Sequence, residues 1–229
     1  MARAGFVDAA RGLAIVSMVI YHILFDLGYF GFAQIDLQFL PVLLFQRAIG
    51  STFLIVAGIS MWLSETAHHS YERHFQRFLR LAPVAIAITL ATWIFPHEGF
   101  ITFGIIHLMA LSALIGPLFF RLGKWNALLG LALVIAGSLP PGLGSSSPYL
   151  FWLGLPSPAY TALDYYPLIP WFGMILIGVY LGQSVKWDKI KVSLPFQDAL
   201  ETAGKNSLAI YVIHQPVIIA VLLALSAVI

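Results

Sequence analysis

The chain has 229 residues, of which 60% are hydrophobic and only 10% charged, with a mean hydropathy of +0.90. Soluble domains run roughly 45–50% apolar and about 25% charged, so this composition excludes a water-soluble domain and points to an integral membrane protein. The net charge of +2 gives no ground for nucleic-acid binding, and the absence of cysteine removes disulfides, thiolate metal sites and a cysteine nucleophile.

A spanning helix needs about 20 mostly apolar residues. Candidate spans in chain order are 7–27, 40–63, 79–95, 103–120, 126–139, 168–184 and 206–228. The first carries His22 and Asp26 and is followed by no small-residue cleavage site, so it reads as a retained span rather than a signal peptide. The third and sixth are short, and Pro140 with Pro141 cuts off the fifth. The expected fold is all-α: a polytopic membrane bundle of about seven transmembrane helices, forming one domain over residues 1–229.

Eleven of the twelve Lys and Arg residues fall on one side of a seven-span arrangement: Arg3, Arg11, Arg73, Arg77, Arg80, Arg121, Lys124, Lys186, Lys189, Lys191 and Lys205. The segments 28–39, 96–102 and 140–167 hold none. The positive-inside rule then places the N-terminus in the cytoplasm and the C-terminus outside. The segment 140–167 is the longest outside the spans and is rich in Pro, Gly and Ser, then in aromatics. It reads equally as a functional loop or as an aromatic belt at the interface.

Polar residues inside spans are costly and usually functional. On the first span, at about 100° per residue, Asp8, Arg11, His22 and Asp26 form one stripe. Its His22 and Asp26 are an i, i+4 pair, opposite an apolar face of Leu13, Val16, Ile20 and Leu24. The second span carries Gln46 and Arg47, and a buried arginine there needs an anion, for which Asp26 or Asp164 is the candidate. His107 opens the fourth span, and His214 with Gln215 falls near the middle of the last, where Pro216 breaks the helix ladder. Three histidines on three spans suggest a shared polar cavity. His68, His69, His74 and His97 fall in loops and are given no role. Gly178 and Gly182 form a small-xxx-small pattern, a weak sign of dimerisation.

A histidine beside a carboxylate builds the general base of acyl transfer, and His22 with Asp26 fits that pattern. Arg47, Gln46 or His107 could then meet the oxyanion. The basic ends could attract a polyphosphate donor such as coenzyme A, although topology signalling alone explains them as well.

The stretches FVDAARGLAIVSMVIYHILFDLGYFG, FLIVAGISMWLS, TFGIIHLMALS, DYYPLIPWFGMILIGVYLG and GKNSLAIYVIHQPV resemble, in order, the transmembrane acyltransferases related to heparan-alpha-glucosaminide N-acetyltransferase. The resemblance covers nearly the whole chain. It implies a transfer of acetyl from cytoplasmic acetyl-CoA to a sugar-like amine or hydroxyl acceptor at the outer side, in a bacterial inner membrane. The candidate catalytic residues are His22, Asp26 and His107, with Arg47, Gln46, Asp164, His214 and Arg11 for substrate and no metal expected. The family's lysosomal enzyme carries asparagine where this chain has His22, and a histidine shortly after the first span where GYFGFAQIDLQF has none.

Two other readings use the same residues. A transporter for a small solute or proton would use His, Asp and Arg as a relay, yet no related halves are visible. A haem-binding electron carrier would use two facing histidines as axial ligands.

Overall fold

A computed structural model describes residues 5–68, 70–138, 149–187, 190 and 195–227. Arg3, His69, Pro140, Pro141, Lys189 and Lys191, and residues 140–148 generally, lie outside the described residues. Among those described there are eight α-helices and no strand: α1 (Gly5–Tyr29), α2 (Leu40–His68), α3 (Tyr71–Ile94), α4 (Ile105–Ile115), α5 (Trp125–Ser138), α6 (Leu168–Ser184), α7 (Gln197–Lys205) and α8 (Ser207–Ser226). A 3₁₀ turn, Gly116–Leu122, continues α4.

Apolar helices occupy all seven expected segments, but five reach spanning length: Gly5–Tyr29, Leu40–Ala67, Tyr71–Ile94, Ile105–Leu122 and Ser207–Ser226. The fifth and sixth segments give shorter helices of 14 and 17 residues. In α6 the backbone of Ile169 is extended (φ −103°, ψ 121°), so regular helix starts only at Pro170.

Two boundaries differ from the sequence reading. α3 starts at Tyr71 rather than near 79, so Arg73, Arg77 and Arg80 stand on a helix instead of in a connection. Extended Ser70 precedes it and Glu72 lies in its first turn, where the helix dipole favours a negative charge. The second difference is α7, a short polar helix in what was expected to be loop.

The chain divides into two compact units, Met1–Phe53 with Lys186–Ile229, and Leu54–Val185. In the first, α1 meets α7 backbone to backbone. A Cβ on Gly12 would strike the Leu200 carbonyl, and one on Gly204 the Asp8 carbonyl. Below them Phe6 stacks on Trp187 at 6.2 Å. α8 then runs along α1 in the same direction, because the contacts climb from His22–His214 to Asp26–Gln215. Leu13, Val16, Ile20 and Leu24 of α1 are exposed, as a lipid-facing stripe requires.

In the second unit α2 crosses α6 closely. A Cβ on Gly58 would meet the Ile175 carbonyl, one on Gly178 the Ile55 carbonyl, and one on Gly182 the Trp62 side chain. The Gly178/Gly182 pattern is therefore filled by α2 of the same chain, not by a second copy. Gly130 and Gly173 bring α5 and α6 together in the same way. Gln183 donates to the Phe120 carbonyl at 2.7 Å and Asn126 to the Phe119 carbonyl at 2.9 Å, so both fasten the 3₁₀ turn. The described part of the long connection folds against the start of α4, with Leu163 N–H donating to Gly99 O and Tyr166 N–H to Phe103 O.

Candidate functional site

The polar residues of α1 and α8 meet in the first unit. The His22 and His214 rings lie 4.8 Å apart, centre to centre, at 71°. His22 Nδ1 is 2.9 Å from the Met18 carbonyl, and His214 Nδ1 is 2.7 Å from the Tyr211 carbonyl. A carbonyl only accepts, so each Nδ1 carries a proton, and in the neutral ring each Nε2 keeps its lone pair. His214 Nε2 is buried and has no hydrogen-bond partner among the described residues. In the neutral form both imidazoles therefore share one tautomer and present Nε2 as a basic nitrogen.

Asp26 is 2% exposed. Its two oxygens accept from Gln215 Nε2 at 3.0 and 2.8 Å. That contact fixes the amide orientation, so Gln215 Oε1 points away and is also buried without a partner among the described residues. The local reason is the spacing: His22 and Asp26 are one turn apart on α1, and they are matched by the adjacent His214 and Gln215 where Pro216 disturbs α8.

The expected His22–Asp26 bond is not formed. The i−4 carbonyl takes the ring N–H first, and the carboxylate turns to the neighbouring helix. The expected burial of Arg47 does not hold either: the residue is exposed, and neither Asp26 nor Asp164 bonds it. A long side chain on an outer helix face can carry its charge toward the interface. Gln46 is half-buried with no hydrogen bond among the described residues. Arg11 is held by Asp8 at 2.8 Å, one turn away on α1.

His107 and Asp164 belong to the second unit and form their own cluster. Asp164 Oδ2 accepts from the Ile105 N–H at 3.0 Å, capping the start of α4. His107 Nδ1 accepts from the Gly104 N–H at 3.2 Å, so its Nε2 carries the proton and donates to Thr89 Oγ1 at 3.0 Å. Thr89 in turn donates to the Ile101 carbonyl at 2.7 Å. Both ring nitrogens of His107 are therefore engaged. The structure brings His22 and His214 together, and it gives His107 a different set of neighbours.

Around this cap the loop aromatics pack on one another. Tyr160 bonds Thr102, stacks on Phe151 at 5.4 Å and touches Tyr165, which donates to the Phe151 carbonyl. Burial pushes the Asp164 carboxyl up to about 6, against the opposing pull of the Ile105 N–H. Burial also raises Tyr160, and burial with the neighbouring Tyr160 pushes Tyr165 up to about 12.

Two features escaped the sequence reading. Gln215 carries no role legible in the sequence, since its partner Asp26 lies on a helix at the other end of the chain. His74, expected in a loop, is a buried residue of α3, with Nε2 3.2 Å from Glu65 Oε2. Its signal was position: Glu65 and His74 flank the turn of a helical hairpin, which sets them side by side. Among the described residues no group of three or more His, Cys, Asp or Glu is arranged to hold a metal ion.

The sequence matches the family described as heparan-alpha-glucosaminide N-acetyltransferase, catalytic, over residues 3–216. The match runs from the start of α1 through His214, Gln215 and Pro216. No curated protein and no solved structure matches the chain.

Proposed function

The chain belongs to the heparan-alpha-glucosaminide N-acetyltransferase catalytic family, a family of membrane acetyltransferases, and from that membership we propose that it moves acetyl from acetyl-CoA to an acceptor amine or hydroxyl, with His22 as general base. The observation that carries the assignment is the free Nε2 of His22, fixed by the Met18 carbonyl and set against His214 inside the matched region. His107 would serve instead by holding the start of α4, since both its nitrogens are engaged.

In the proposed step the acceptor nitrogen or oxygen forms a bond to the thioester carbonyl carbon as its proton passes to His22 Nε2. The oxyanion draws on Gln46, half-buried with its amide uncommitted among the described residues. Collapse breaks the carbon–sulfur bond, and the imidazolium returns its proton to the leaving thiolate. The products are acetylated acceptor and free coenzyme A. His214 Nε2 and Gln215 Oε1 offer acceptor atoms to the N–H or O–H groups of the incoming substrate. Asp26 holds Gln215 in that orientation.

The segregated basic residues support entry of the donor from the cytoplasm, and the family resemblance implies delivery to a sugar-like acceptor at the outer side of a bacterial inner membrane. Acetyl-CoA binding and turnover by purified wild type and His22→Ala test the reading. Binding kept and turnover lost in the variant places His22 in the chemistry. A well-folded wild type that neither binds nor consumes acetyl-CoA overturns the donor assignment.

A further inference from the structure

The second unit has a cavity of about 360 Å³ where α2 ends, α3 begins and the 3₁₀ turn closes. It is lined by Trp62, Glu65, Thr66, Tyr71, Phe120 and Arg121. Its walls are held from behind. The Trp62 ring stands edge-on to Phe120 at 5.5 Å, and Phe120 meets buried His74 at 5.4 Å. His74 Nε2 lies 3.2 Å from Glu65 Oε2, and Tyr71 OH donates to the Leu114 carbonyl at 3.1 Å.

This combination has a chemical meaning. Aromatic side chains offer faces and edges to a flat ring. A carboxylate accepts from an exocyclic amine, and a guanidinium takes a phosphate or stacks on a base. Arg73, Arg77 and Lys124 stand toward the same end of the helices and add a positive field that draws phosphates. A phosphate-headed lipid would use the arginines but would leave the Glu65 carboxylate facing an anion.

We propose that this cavity seats the adenine nucleotide head of the acyl donor, with Trp62, Tyr71 and Phe120 around the base, Glu65 accepting from its exocyclic amine and Arg121 on phosphate. The volume is at the lower end for small-molecule sites and suits a base with its phosphate, leaving the thioester arm to extend beyond it. The assignment rests on the coenzyme A reading above and names residues for the donor that the His22 site does not include.

The test uses the full chain in detergent. Binding of coenzyme A, 3′-dephospho-coenzyme A and S-acetyl-pantetheine is measured for wild type, Glu65→Gln, Arg121→Ala and His22→Ala. An 8-azidoadenine analogue of coenzyme A is photolysed on wild type, with unlabelled coenzyme A as competitor. The expected result is at least tenfold weaker coenzyme A binding in Arg121→Ala and Glu65→Gln, unchanged S-acetyl-pantetheine binding, and competed label in peptides containing Trp62–Tyr71 or Pro117–Arg121. His22→Ala binds as wild type. If wild type binds coenzyme A but the cavity variants bind equally well and the label falls elsewhere, the cavity assignment is overturned and the donor reading stands. If cavity label is displaced by anionic lipid and not by coenzyme A, the site is a lipid site and the assignment is again overturned. If wild type binds no coenzyme A at all, the donor reading fails and takes the cavity assignment with it.

Discussion

Gln215 Nε2 bridges both carboxylate oxygens of Asp26, at 3.0 and 2.8 Å, across two helices that are 189 residues apart in sequence. Among the described residues the contact is the whole hydrogen-bonding complement of a carboxyl that is 2% exposed. Gln215→Ala should therefore leave an unsatisfied buried carboxyl, at a cost of about 1–3 kcal/mol or more. For a chain of this size that lowers the unfolding temperature by about 2–4 °C per kcal/mol. Replacing both partners, as in Asp26→Leu with Gln215→Leu, should restore much of the loss. Thermal unfolding in detergent reads the difference, and equal losses for the single and double variants would show that the pair contributes nothing specific.

The proposed roles of His22 and His214 separate kinetically. His22→Ala removes the base, so kcat should fall by about 10²–10⁴ with donor affinity kept. Added imidazole should return part of the rate. His214→Ala removes a hydrogen-bond acceptor worth about 1 kcal/mol, so the acceptor KM should rise roughly fivefold with a smaller change in kcat. Steady-state kinetics of both variants against wild type decides it, and the opposite split would exchange the two assignments.

The spans were legible because a membrane forces each backbone to satisfy itself within a run of apolar residues, and hydropathy reports such runs directly. α7 escaped that signal, since a short polar helix has no hydropathic mark and forms against α1 through Gly12 and Gly204. The histidines were found because an ionisable group inside a span stands out alone. Their partners were not, because pairing is decided between helices: Asp26 lies one turn from His22 in sequence yet bonds Gln215. Arg47 misled for the same reason, as depth along a helix says nothing of which face it occupies.

Asp164 gives a pH dependence. Its folded carboxyl titrates at about 6, above the ordinary 3.8, because burial disfavours the charge. The folded state thus holds the proton more tightly than the unfolded chain. That contribution to stability is fully present below about pH 4 and is lost as pH rises through about 6. Asn in its place still accepts from the Ile105 N–H but does not titrate. Unfolding curves from pH 4 to 7 should show Asp164→Asn gaining on wild type as pH rises. Parallel curves would rule out a raised Asp164.

The α2–α6 crossing has no room for a methyl group. Gly178→Ala would place Cβ against the Ile55 carbonyl and Gly58→Ala against that of Ile175, so each should cost about 1–3 kcal/mol through overpacking. Gly28→Ala is the control, since its nearest neighbour would be an ordinary 3.5 Å contact with Ile35. Thermal stability of the three variants orders them, and a Gly178→Ala protein as stable as Gly28→Ala would contradict the close crossing.

His107 separates a scaffold role from a chemical one. Its Nδ1 accepts from the Gly104 N–H as the third residue of α4, the place where glutamine also closes a capping box. His107→Ala should lose about 0.5–2 kcal/mol, the usual cost of a lost cap. His107→Gln should recover most of that stability, because its amide oxygen can take the same N–H. The two roles then part on activity. If His107 only holds the helix start, His107→Gln keeps most of the acetyl transfer. If the imidazole carries a proton during the reaction, the glutamine variant is stable but slow by a factor of 10² or more. Measuring turnover beside unfolding temperature in the same preparations reads both, and a stable, inactive His107→Gln would move the base from His22 to His107.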